Sequence, residues 1–357
     1  MNRKLITIAA VCTSFAVQAQ VLKYSNQFLM LGVGARAAGM GNASLASVSD
    51  ATAAYWNPAG LTQISHNLEF ALMHNEQFAG IVKHDYGTVA FRLNSANKSA
   101  LAFSFIRVGV DDIPNTLNLF NNGQLDLSRV QNFSAIDYAF LASYARQTMI
   151  ENLTVGVNTK IIRRVVGEFA GAWGFGFDIG AQYQLKQYRF GAMLRDATTT
   201  FNVWNFSFSE SEKQVLLQTN NKLPQNSLEL TAPLLQVGVA RKWNLFNERF
   251  SVLPEINVDL TFDGKRNVWI SSSYFNADPR MGLELGYKDK VFLRGGVTNF
   301  QRVTDIDGSR NLTFMPSIGA GLRIDRLQID YALANAASSI LPFSNVVSIR
   351  IGIRPRE

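Results

Sequence analysis

Residues 175–185 read FGFDIGAQYQL. Phe175, Phe177, Ile179, Ala181, Tyr183 and Leu185 alternate with Gly176, Asp178, Gly180, Gln182 and Gln184, so a strand here has one apolar face and one small or polar face. The same period of two runs through 256–262, 327–333 and 347–353. Marking every such run predicts about fourteen strands, many near the 9–11 residues that a tilted membrane strand requires. They start near residues 66, 85, 98, 135, 151, 172, 188, 234, 249, 273, 290, 313, 326 and 346. Some connections are short, as near 185–188 and 324–327, and others long, as across 111–134, 197–233 and 300–312. Short turns at one end and long loops at the other mark an outer-membrane barrel.

Composition supports that class. Hydrophobic residues make up 47% of the 357 and charged residues only 17%, yet no stretch approaches the length of a spanning helix. Residues 1–19 have the form of a secretory signal peptide, with basic Arg3 and Lys4, an apolar middle and small residues ahead of Gln20. Its removal would take away the single cysteine, Cys12, and lower the formal charge from +7 to +5, with no basic run to suggest nucleic acid. The rival for the rest is a soluble β-sandwich adhesin, which also alternates. Against it stand the long strands, the lack of a Pro/Gly/Ser linker, and an even strand count that lets the sheet close without an edge in lipid. Tyr86, Tyr144, Trp173, Tyr188, Trp243, Trp269 and Tyr287 lie where interfacial girdles would fall. The expectation is an all-β, transmembrane antiparallel barrel over 66–357, preceded by a small helical plug or hatch over 20–65.

That N-terminal segment contains GVGARAAGMGNASLASVSDATAAYWNPAGL, residues 32–61. Gly32, Gly34 and Ala37 match a dinucleotide-binding spacing, but no βαβ unit surrounds them and an exported protein meets little dinucleotide, so that reading fails. Segments rich in Ala, Gly and Ser pack tightly, which suits a plug inside a narrow lumen, the alternative being an N-terminal arm outside the barrel with no gating role. Asp50 is placed to cap a short helix, and Pro58 should end it by disfavouring helical geometry at Asn57.

The stretch from Phe28 to Gly41, then Asp50, then Tyr55-Trp-Asn-Pro-Ala-Gly-Leu61, resembles the start of the PorV/PorQ proteins of the type IX secretion system, relatives of the FadL-type fatty-acid channels. The resemblance implies a Gram-negative outer-membrane barrel that binds secreted proteins carrying a C-terminal sorting domain. Such a barrel passes cargo from the translocon to the attachment components, with no catalytic residues and no cofactor. It marks Gly39, Gly41, Asp50, Trp56, Asn57, Pro58, Ala59 and Gly60 as a hatch motif of structural or gating role. The FadL side implies instead a channel for hydrophobic small molecules, with the hatch moving aside. An apolar lumenal pocket would favour the channel; a filled lumen with an aromatic, partner-sized loop surface would favour cargo binding. One departure is the C-terminus, Ile353-Arg-Pro-Arg-Glu357, where many such barrels end on an aromatic residue.

The candidate cargo-binding loop carries Phe201, Trp204, Phe206 and Phe208, although its alternation equally suits a strand extended above the membrane. His66, His74 and His84, with Glu69 or Asp85, are weak metal candidates, better read as polar residues at strand ends. Asp111-Asp112 and Asp305-Ile-Asp307-Gly308 look more like turns than calcium cages. No nucleophile elbow is present. Asp178, Asp259 and Asp330 are expected to face the lumen and pair there, with Arg350 or Arg354 as partners.

Overall fold

The computed structural model describes residues 20–21, 24–94, 98–117, 119–121, 124–304, 308–334 and 344–355. The signal-peptide residues 1–19 lie outside these, as do Asp305 and Asp307 of the calcium reading and the side chain of Arg354. Fourteen long antiparallel strands form the wall: β1 His66–Gln77, β2 Val82–Asn94, β3 Ser99–Asn115, β4 Gln131–Gln147, β5 Leu153–Val166, β6 Ala170–Leu185 and β7 Tyr188–Arg195. They continue with β8 Leu234–Arg241, β9 Phe250–Thr261, β10 Asn276–Tyr287, β11 Val291–Thr304, β12 Arg310–Ile324, β13 Leu327–Ala334 and β14 Ser344–Pro355. Each pairs with the next, and β1 pairs with β14 from His66↔Pro355 to Glu76↔Asn345, which closes the barrel. Closure leaves no unpaired strand edge among these fourteen, the condition for standing in hydrocarbon.

Burial settles which face is which. In the opening stretch Phe177, Ile179, Tyr183 and Leu185 are exposed, whereas Gly176, Asp178, Gly180 and Gln182 are buried. A sandwich would bury the apolar face; here it points outward, the arrangement that lipid requires. Tyr144, Tyr188 and Tyr287 sit outward near one rim and Trp173 near the other, as girdle residues do. Tyr86 departs from the expectation: it is buried and bonds to Ser104 inside the wall, because its position in β2 falls on the inward face.

The six connections at the rim holding the start of β1 and the end of β14 are short, and the long ones gather at the opposite rim. The long connections are shorter than the sequence suggests because strands continue into them. Beyond a break at residues 196–199, β7 resumes as Thr200–Phe206, which pairs with β6 and with Ser227–Thr231 leading into β8. Between these two extensions stands helix Glu210–Gln218, started by a capping box of Ser209 and Glu212. No described helix is long and apolar enough to cross a membrane.

Residues 24–65 pass through the lumen toward the short-turn rim. They carry two one-turn α-helices, Ala35–Gly39 and Ala53–Trp56, and two 3-10 turns, Gln27–Met30 and Pro58–Gln63. As expected, Pro58 ends the helix at Trp56, and Asn57 is fully extended at φ −164° and ψ 104°. Asp50 acts differently from a simple cap: its Oδ1 accepts from the Thr52 amide and hydroxyl one residue ahead of the helix.

Candidate functional site

The hatch and wall meet backbone to backbone, and glycine makes this possible. A Cβ on Gly296 would lie 2.1 Å from the Gly41 amide nitrogen, and one on Gly41 would lie 2.6 Å from the Val297 nitrogen. Near the short-turn rim, a Cβ on Gly156 would lie 2.6 Å from the Ala59 nitrogen, against the Pro58-Ala59 pair. Gly39 sits less tightly against the wall, with its nearest atom at 3.0 Å on Gly319, and Gly60 is crowded within the hatch itself, 2.5 Å from the Val48 carbonyl. Small residues on both sides thus replace side-chain packing with close backbone approach.

Asn57 is wholly buried, and its side chain ties three elements together. Nδ2 donates to the carbonyls of Ala181 on β6 at 3.0 Å, Leu45 in the hatch at 3.3 Å and Ala192 on β7 at 3.4 Å, while Oδ1 accepts from the Ala59 amide. Trp56 fixes the hatch to itself, its Nε1 donating to the Val33 carbonyl at 2.9 Å. The motif residues Gly39, Gly41, Asp50, Trp56, Asn57, Pro58, Ala59 and Gly60 therefore all lie in the plug or at its contact with the wall.

Charges complete the attachment. Asp50 pairs with Arg350 of β14. Arg36 meets Glu284 of β10 at 2.9 Å; Glu284 also holds Arg294 of β11 at 2.7 Å, and Arg294 reaches Asp330 of β13 at 2.7 Å. The lumenal aspartates are paired as expected, but with other partners: Asp178 with Lys160, Asp259 with Arg280 and Asp330 with Arg294. Arg350 is instead used by the hatch. Glu284 and Arg294 went unnoticed in the sequence, although both stand at inward positions of alternating runs, between Leu283 and Leu285 and after Leu293.

Above the hatch, toward the long-loop rim, the lumen keeps a cavity of about 420 Å³. Its floor is hatch residues 25–27, 29–32 and 34, with Ala38, Gly41 and Asn42; its walls come from β1, β5 and β7 to β14. The lining is mixed. Met73, Met315 and Val346 provide apolar surface, while Asp259, Asp278 and Arg280 make the side formed by β9 and β10 polar.

The remaining candidates scatter. Phe201 is exposed on the outer side of the β7 extension, whereas Trp204 is half-buried, donates to Glu229 at 2.5 Å and stacks with Phe206. Phe208 stacks on Phe169. Phe201, Trp204 and Phe206 thus lie on a strand continued above the wall, and Phe208 lies just beyond it. His74 pairs with Asp85 at 2.7 Å, His66 with Glu69 at 3.3 Å, and His84 is buried on the inward face. No group of three or more metal-ligating side chains occurs among the described residues.

No family model matches this chain, and no curated protein does. Solved structures do. The chain is similar to the Ralstonia pickettii toluene transporter TbuX, with a TM-score of 0.55, 14% identity, and 90% of this chain and 99% of that one covered. The monoaromatic hydrocarbon channel CymD gives 0.58 at 14% identity, covering 91% and 99%. The Pseudomonas putida toluene transporter TodX gives 0.56 at 14%, covering 93% and 99%. The fold is that of these barrels. At such low identity the likeness concerns architecture alone. It agrees with the FadL-type side of the resemblance, and nothing in these comparisons bears on type IX secretion. The three neighbours are transporters or channels, not enzymes.

Proposed function

We propose that this chain is a non-enzymatic outer-membrane channel for small molecules, with solute held in the lumenal cavity and onward passage controlled by the hatch. The long-loop rim would face outward and the short-turn rim the periplasm, the usual orientation of such barrels. The observation that carries the reading is a lumenal cavity on the long-loop side of the hatch, floored by a separately anchored plug. The shared architecture with hydrocarbon transporters supports it. Small apolar molecules are therefore the first ligands to test. The full chain, placed in the outer membrane of a host whose lipopolysaccharide slows hydrophobic solutes, should speed entry of labelled toluene relative to an unrelated barrel. Equal rates would remove the reading.

Cargo handling in type IX secretion is the second reading, drawn from the N-terminal resemblance and from the rim. Phe201 and Val203 are exposed on the β7 extension, beside helix Glu210–Gln218. Their side chains offer an apolar outer surface to a partner. Purification from the native outer membrane would support this reading if translocon components or proteins sharing a C-terminal sorting domain came with the barrel. A barrel recovered alone would remove it.

A further inference from the structure

The lining of the cavity differs from what a plain hydrocarbon needs. Three buried oxygens on cavity-lining residues have no hydrogen-bond partner in the protein: Asn75 Oδ1 on β1, Ser344 Oγ on β14 and Asp278 Oδ1 on β10. Asn75 and Ser344 are almost wholly buried, at 5% and 2% exposure. Each of the three can accept a hydrogen bond, and a buried group left without one is costly, about 1–3 kcal/mol when neutral and more when charged.

Charge points the same way. Asp259 is held by Arg280, Asp263 by Arg266, and Asp196 shares Lys160 with Asp178. Asp278 forms no ion pair, although it stands directly across the strand pair from Asp259. The β9–β10 side therefore presents one carboxylate outside any ion pair, on which the Arg280 and Arg266 guanidiniums act only at longer range. The other side is apolar, with Leu29 and Met30 on the hatch and Met73, Met315 and Val346 on the wall.

We infer that the cavity takes a small amphipathic amine: an apolar body against the hatch and the apolar residues of β12, β14 and β1, and an ammonium group at Asp278. A charge-assisted hydrogen bond of this kind is stronger than a neutral one and demands a donor that a hydrocarbon lacks. The inference rests on the channel reading for its biological sense, but the ligand class can be tested separately.

Equilibrium dialysis of the detergent-purified full chain would compare 2-phenylethylamine with ethylbenzene, which share an aromatic body and differ in the amine. The amine should bind about tenfold or more tightly than the hydrocarbon, a difference of about 1.4 kcal/mol or more. Asp278→Asn should abolish that preference while the barrel keeps its heat-resistant migration, since the replaced oxygen supports no contact in the fold. Ethylbenzene binding as tightly as the amine, or an undiminished preference in Asp278→Asn, would overturn the inference. Uptake of both compounds by whole cells then separates the channel from the ligand class. Entry of ethylbenzene but not the amine would leave the channel and overturn the ligand class; a bound amine with no uptake of either would keep the ligand class and remove the channel.

Discussion

Asp50 shows how one carboxylate can make hatch attachment depend on pH. Burial disfavours its charge, but the Arg350 guanidinium, the Thr52 hydroxyl and amide, and Arg36 outweigh that and hold its pKa below the usual carboxylate value. A depressed folded-state pKa means that the stabilisation is fully present above the unfolded value of about 3.9 and is lost as pH falls through the folded value. The thermal unfolding midpoint should therefore hold from about pH 7 to 5 and drop in more acidic buffer. Asp50→Asn should lower the midpoint at neutral pH, by the loss of about 1.5–3 kcal/mol for a charged hydrogen bond. The two curves should converge in acid; a constant gap at every pH would show that the Asp50 charge is not responsible. Asn57, by contrast, was legible as a helix stop from Pro58. Its bonds to Ala181 and Ala192 were not, because a side chain's distant partners do not appear in its local sequence.

Among elements, strands and hatch differ in how they are held. The strands are specified by alternation, and their starts fall within a few residues of those read from the sequence. Their upper ends are less legible, since above the membrane the outward face no longer has to be apolar and cross-strand bonds carry the strand onward, as at Asn115 and Gln131. The break in β7 is a tertiary feature of another kind. Asp196 and Thr199 adopt positive φ, 53° and 63°, and the turn is secured by Asp196 to Lys160 at 2.6 Å and by its own amide to Asp178 at 2.9 Å. The hatch is held by fit to the wall. Gly296→Val should unseat the turn around Gly41 while β11 keeps its backbone pairing to β10 and β12. Such overpacking costs about 1–3 kcal/mol or more. Planar-bilayer recordings should then show larger and more frequent openings than the parent chain; identical traces would mean that this contact does not retain the plug.

At the scale of the whole molecule, the barrel is a soluble protein turned inside out, with salt bridges and glycines within and aliphatic residues without. Ile349 stands in the middle of β14, outward, opposite Leu72 on β1 and Ile329 on β13. Ile349→Arg should destabilise the barrel by about 2–4 kcal/mol in bilayers, the cost of a basic side chain near the midplane. Denaturant titration in lipid vesicles measures it, and a neutral result would contradict the assignment of this face to lipid. The amino-acid sequence by itself determined the class and the fourteen strands, and made a plug the expectation for the small-residue N-terminal segment, because period-two alternation and small-residue content are local properties. Only the tertiary structure decided which aspartate meets which arginine, where the wall breaks and which acceptors are left without partners. Those outcomes depend on side chains tens or hundreds of residues apart being brought across one narrow lumen, where register and closure choose the neighbours.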